Sequence, residues 1–170
     1  KNMINLALSI NNKPSAIRYP RDLAHEYKNN DKFQKIIIGK GKIIKNGKKV
    51  AFLNLGTRLK KVLEISELIK KNYKLDCSII DMRFAKPIDV KLIQKLTKNH
   101  DIFVTIEENA IGGFSSQVND FLINKLSNTP KILNFFMKDE FIDQSDIEDQ
   151  YSKSGISPKI IYEKLIKILK

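Results

Sequence analysis

The sequence predicts an α/β domain built as a three-layer sandwich: a mostly parallel five-stranded sheet with one antiparallel strand and helices on both faces. Three observations predict it. Short apolar runs alternate with longer stretches whose apolar residues recur at helical spacing. Strands that alternate with helices need crossover connections, which make neighbouring strands parallel and cover both faces of the sheet. Asn46-Gly47, set between two apolar runs, is a hairpin signal and supplies the antiparallel strand.

Asn2 to Ile10 reads as the end of a helix, stopped at Asn11-Asn12-Lys13-Pro14. Ser15 to Tyr19 reads as a short strand closed by Pro20. Asp22 to Gln34 is polar and lysine-rich and marks a linker. Ile36 to Ile44 and Lys49 to Leu55 then form the expected hairpin around Asn46-Gly47. Thr57 can cap a helix whose core face holds Leu59, Val62, Leu63, Ile65, Leu68 and Ile69. A strand over Ser78–Met82 follows, and Pro87-Ile88-Asp89 opens the next helix. Ile102 to Ile106 is the next strand, Phe114 to Leu126 a helix, and Lys131 to Phe136 the last strand. In the tail, Ser145 caps one helix that ends at Gly155, and Ser157-Pro158 starts another. The expected division is a remnant of an adjoining domain over 1–21, a linker with the leading hairpin strand over 22–49, and the α/β domain over 50–170. Lys1 opens the chain in mid-helix, so a truncated start is expected.

A chain of 170 residues with 42% apolar residues suits one domain and an appendage. The formal charge of +12 invites a nucleic-acid reading. Against it, the lysines are scattered without interleaved aromatics, and arginine occurs only at 18, 21, 58 and 83. A solvated surface explains the lysines, and nucleic acid is not expected as a partner. No apolar run reaches the length of a membrane span, so no membrane partner is expected. Cys77 sits alone in a strand-like run and reads as a small buried residue. His25 and His100 lack the spacing of metal ligands, and no metal site is expected within the chain. His100 is expected to end a helix, beside the negative end of its dipole.

Three segments end apolar runs with polar groups, at the position where open α/β sheets place chemistry or interfaces. In Arg18-Tyr19-Pro20-Arg21, a strand-end arginine can grip a phosphate through its planar fork or bridge to a neighbouring domain. In Asp81-Met82-Arg83, the guanidinium can pair with Glu107 or Glu108 at the end of the neighbouring strand. In Glu107-Glu108-Asn109, adjacent carboxylates on an extended chain point to opposite faces, which suits them poorly to a shared catalytic role. Gly112-Gly113 then opens a helix with free backbone N–H groups. Gly39-Lys40-Gly41 lacks the spacing of a phosphate loop, and no serine or cysteine nucleophile has a partnered histidine in view.

Read in order, these segments resemble the C-terminal part of the 1-deoxy-D-xylulose-5-phosphate synthase family, within the transketolase superfamily. The resemblance runs from Pro14 to the last helix and includes Asp139-Glu140-Phe141-Ile142 and Gly155-Ile156. It implies a transketolase C-terminal-like fold and a parent transferase that condenses pyruvate with glyceraldehyde 3-phosphate. It implies thiamine diphosphate and Mg2+ bound outside this chain, the remaining domains of the parent enzyme as partners, a homodimer, and a cytoplasmic or plastid-type location. It assigns Arg21 to the aldehyde's phosphate. Arg18, Arg83, Glu107, Glu108, Asn109, Gly112 and Gly113 become structural or interface residues, with no catalytic residue in the chain. Asp22 stands where the family carries glycine, and the loop between Asn109 and Gly112 is one residue shorter than usual. A β subunit of a 2-oxo-acid dehydrogenase is the rival, against which Arg-Tyr-Pro-Arg and Asn109 argue. The same residues also admit a split transketolase or a free-standing assembly or binding module.

Overall fold

The computed structural model describes residues 2–17, 19 and 35–169. Arg18, Arg21 and the linker expected over Asp22–Gln34 lie outside the described residues. The chain divides into two compact units, one up to Ile38 and one from Gly39 to Lys170.

In the first unit, helix α1 spans Asn2–Leu8 and ends in a turn where Ser9 N–H donates to the carbonyls of Asn5 and Leu6. None of its residues is buried, and Leu8 is 74% exposed. The strand expected over Ser15–Tyr19 is absent from its described residues. An extended segment becomes a strand only beside a hydrogen-bonding neighbour, and none is present among the described residues.

The second unit holds β1 (Lys42–Lys45), β2 (Lys49–Asn54), α2 (Leu59–Tyr73), β3 (Ser78–Asp81) and α3 (Val90–Leu96). It continues with β4 (His100–Ile106), α4 (Phe114–Lys125), β5 (Lys131–Phe135), α5 (Ile147–Lys153) and α6 (Pro158–Leu169). The sheet order is β1-β3-β2-β4-β5, with β1 antiparallel to β3 and all other pairs parallel. The five-stranded architecture agrees with the sequence. The hairpin does not: β3 lies between β1 and β2. The Asn46-Gly47 turn crosses the start of β3, where Lys48 N–H donates to the Asp76 carbonyl at 2.9 Å and Gly47 N–H to Ser78 Oγ at 2.8 Å. A Cβ on Gly47 would stand 2.1 Å from the Asp76 carbonyl oxygen, so glycine here serves a close backbone crossing rather than a two-residue turn. The leading strand also begins late. At Gly39, with φ +73°, the chain turns against Pro87, and Gly41 N–H then donates to the Asp89 carboxylate.

Residue alternation sorts the core into two layers. Val50, Phe52, Ile79, Val104 and Ile106 pack with Val62, Ile65 and Ile69 of α2 and with Ile161 and Leu165 of α6. Ala51, Leu53, Ile80 and Phe103 pack with Ile93 of α3 and with Phe114, Val118 and Leu122 of α4. Val50 to Leu53 are wholly buried, as a strand covered on both faces must be. Truncating Phe52 or Phe103 to alanine costs about 3–5 kcal/mol at such positions.

Helix starts differ from expectation in two places. Arg58 rather than Thr57 precedes α2, without a capping side chain, and Asp146 rather than Ser145 caps α5 by accepting from Asp149 N–H. Asp89 caps α3 and also takes Lys40 Nζ at 3.1 Å. His100 opens β4 instead of closing a helix and is buried, with Nδ1 2.7 Å from the Leu96 carbonyl and Nε2 2.8 Å from Ser78 Oγ. Cys77 is fully buried, and burial pushes its thiol up to about 12.

Candidate functional site

The carboxyl ends of β2, β3 and β4 bring together the loops that carry most of the polar residues singled out above. The adjacent carboxylates do point opposite ways, and each has its own donors. Glu107 is buried, with Oε2 accepting from Phe114 N–H and Oε1 from Ser115 N–H, both at 2.7 Å. It therefore caps α4 from a neighbouring loop, placing a negative charge at the helix's positive end. A Cβ on Gly113 would lie 2.2 Å from Oε2, so only glycine lets the carboxylate reach the helix. Gly112 adopts φ +97° and donates to Ser116 Oγ at 3.1 Å.

Glu108 turns to the other side. Its Oε1 accepts both the Thr57 hydroxyl and the Tyr151 phenol. This explains why Thr57 does not cap α2: its hydroxyl is already committed to Glu108. The Arg58 guanidinium stacks 3.7 Å over the Tyr151 ring and reaches Glu148 at 3.5 Å. A stacked cation of this kind contributes about 0.5–2 kcal/mol. Burial pushes the Tyr151 phenol above its ordinary value, and the bond to Glu108 pushes it further the same way. One carboxylate thus ties the loop after β2, the loop after β4 and helix α5 into a single end of the domain.

Arg83 does not meet either glutamate. β2 separates β3 from β4, and Arg83 Nε turns back to Asp81 at 3.4 Å from a backbone with φ +60°. Asn109 is exposed, and its carbonyl accepts Met137 N–H at 2.9 Å, which joins the loops after β4 and β5. Between those loops opens a cleft of about 390 Å³, lined by Asn109, Ala110, Met137, Asp139, Glu140 and Ile142 among others. Sequence reasoning missed Thr57 and Tyr151 as partners of Glu108, and Arg58 as the cation stacked on Tyr151. Tyr151 lies 43 residues from Glu108 in the chain, and no local spacing signals such a contact.

With both glutamates taken up by internal donors, this end holds the loops after β2 and β4 and helix α5 in register. Among the described residues, no group of three or more histidine, cysteine, aspartate or glutamate side chains is arranged to hold a metal ion. Nor do these residues form the glycine-rich cradle that a diphosphate needs. They do not fit a thiamine diphosphate and Mg2+ site.

The family described as "Transketolase, C-terminal domain" matches residues 39–161, the whole length of the sheet and most of its helices. The chain belongs to the transketolase C-terminal domain family. Within the wider superfamily, it is 37% identical over 157 residues to 1-deoxy-D-xylulose-5-phosphate synthases from Haemophilus influenzae strains PittGG and 86-028NP. That alignment covers 92% of this chain and 24% of each relative, so the chain spans about a quarter of their length. A solved split gene transketolase, an inactive beta4 tetramer, superposes with a TM-score of 0.72 at 26% identity, over 80% of this chain and 44% of that one. Transketolase from Campylobacter jejuni shares the fold alone, with a TM-score of 0.51 at 16% identity, over 76% of this chain and 18% of that one. The resemblance read from the motifs, and the transketolase C-terminal-like fold it implied, both agree with these similarities.

Proposed function

We propose that this chain serves as the C-terminal part of a thiamine-diphosphate-dependent transferase that condenses pyruvate with glyceraldehyde 3-phosphate. The product is 1-deoxy-D-xylulose 5-phosphate with release of carbon dioxide, a precursor for isoprenoid and thiamine biosynthesis. The observation that carries this reading is the 37% identity to the Haemophilus synthases over 92% of the chain. The 26% identity to a split gene transketolase favours a second reading, a subunit of such an enzyme, less strongly.

In this reading the α/β domain over 50–170 is a scaffold, residues 1–21 belong to the adjoining pyrimidine-binding domain, and 22–49 connect them. Thiamine diphosphate and Mg2+ sit on parts of the parent enzyme beyond this chain. The donor set supports that division, because Glu107 and Glu108 are already committed to Phe114, Ser115, Thr57 and Tyr151. The partners are the parent's remaining domains and a second copy in a cytoplasmic homodimer, and the substrates are pyruvate and the aldehyde phosphate. Arg21 grips the aldehyde's phosphate and Arg18 is structural. In the parent enzyme, Arg21→Ala should raise KM for glyceraldehyde 3-phosphate by about tenfold or more while KM for pyruvate holds. An unchanged KM for the aldehyde would remove Arg21 from the site.

A further inference from the structure

Asn46-Gly47 is the single Asn-Gly step in the chain, and the strand order gives it no part in a hairpin. The step is chemically reactive. The Gly47 nitrogen can attack Cγ of the Asn46 carboxamide, and glycine has no side chain to hinder the ring closure. The new N–C bond closes a five-membered succinimide, and ammonia leaves with the proton that the nitrogen gave up. Water then opens either ring carbonyl and leaves aspartate or isoaspartate. The Asn46 carboxamide is exposed and its side chain has no hydrogen-bond partner among the described residues, so the electrophile is free to turn toward the nitrogen.

The attacking nitrogen is the group that the fold restrains. Gly47 N–H donates to Ser78 Oγ at 2.8 Å, and Ser78 is only 2% exposed. His100 fixes Ser78 in turn. Its Nδ1 lies 2.7 Å from the Leu96 carbonyl, which can only accept, so Nδ1 carries the hydrogen. In the neutral ring Nε2 then accepts from the Ser78 hydroxyl at 2.8 Å, closer than that hydroxyl's other acceptor, the Gly47 carbonyl at 3.2 Å. With its hydrogen directed at His100, Ser78 Oγ presents a lone pair to Gly47 N–H. Ring closure must draw the nitrogen out of this bond and turn its peptide against the Asp76 and Cys77 backbone, where Gly47 already has no room for a Cβ. A buried donor pulled from its acceptor loses free energy, which sets the folded crossing against the reaction. We propose that Asn46 is a site of spontaneous deamidation, kept unreacted in the folded domain by the Ser78–His100 pair and released when the β1–β2 crossing opens. Isoaspartate lengthens the main chain by a methylene at this crowded crossing, so conversion marks a domain that has opened.

Peptide mapping by mass spectrometry tests it, following amide-to-acid conversion at Asn46 while the 170-residue chain stands in warm, mildly alkaline buffer. Unfolded in urea, the chain should convert readily at Asn46; folded, it should convert about tenfold more slowly or less. Ser78→Ala, with an unchanged circular dichroism spectrum, should convert about tenfold faster than the unaltered folded chain. Should that variant fail to fold, the unaltered chain decides the matter across urea concentrations below its unfolding transition. There, conversion should rise in step with hydrogen exchange at Gly47 N–H, because both need the same opening. Absence of conversion in urea overturns Asn46 as a site of modification. Equal rates in the folded and unfolded chain, a folded Ser78→Ala that converts no faster, or conversion out of step with Gly47 exchange overturns the restraint by Ser78 and His100.

Discussion

Glu107 and Gly113 share a space that admits one of them only because the other is glycine: a Cβ at 113 would stand 2.2 Å from Glu107 Oε2. That oxygen accepts Phe114 N–H and its twin accepts Ser115 N–H. Gly113→Ala must therefore push the carboxylate off the start of α4. Two charge-assisted bonds in a buried setting are at stake, and urea unfolding should show a loss of about 2–4 kcal/mol. Glu107→Gln should cost about 1–3 kcal/mol, because its amide would set a donor against a donor. Midpoints unmoved by both substitutions would contradict the capping role.

Gly47 is constrained by backbone instead. The Asp76 carbonyl oxygen lies 2.1 Å from where a Cβ would sit, and that atom cannot swing aside as a side chain can. Gly47→Ala should cost about 3 kcal/mol by forcing the β1–β2 crossing away from β3. Urea unfolding of this variant checks it, and a loss below about 0.5 kcal/mol would mean the crossing yields freely.

These glycines mark how far the sequence could be read. Alternation of strand and helix periods was enough for the sheet, its mostly parallel order and the division of Glu107 from Glu108, because those follow from local periodicity. Asn46-Gly47 misled because its glycine answers a contact with Asp76, about thirty residues on, which a turn rule cannot see. Arg83 misled for a similar reason: strand order decides whether its guanidinium can reach Glu107, and β2 intervenes. Tyr151 gave no signal, since its role comes from where α5 docks. The phosphate contact expected of Arg21 lies outside the described residues and rests on the resemblance.

Tyr151 links pH to stability. Its phenol is pushed above the ordinary value of 10 by burial and by Glu108. A group whose folded-state value is raised holds its full contribution below the unfolded value and loses it as pH climbs through the folded one. Stability should therefore fall above pH 10 as the unfolded state ionises first. Tyr151→Phe should flatten that alkaline decline relative to the unaltered chain, which isolates this tyrosine from the other four. Parallel unfolding curves between pH 9 and about 11 for the two proteins would contradict a Tyr151 phenol raised by its burial and its bond to Glu108.

Cys77 offers a probe of the core. With its thiol fully buried and pushed up to about 12, the native chain should resist thiol reagents at neutral pH. Labelling should proceed at the rate of unfolding and accelerate with urea. Rapid labelling without denaturant would show that the layer between β3 and α2 opens locally.

As proposed, this chain is a buttress rather than a catalyst, and one assay bears on that most directly. The purified 170-residue chain is mixed with pyruvate, glyceraldehyde 3-phosphate, thiamine diphosphate and Mg2+, and formation of 1-deoxy-D-xylulose 5-phosphate is followed. Product at the level of the enzyme-free blank is the predicted result. Turnover that scales with the amount of chain would contradict it.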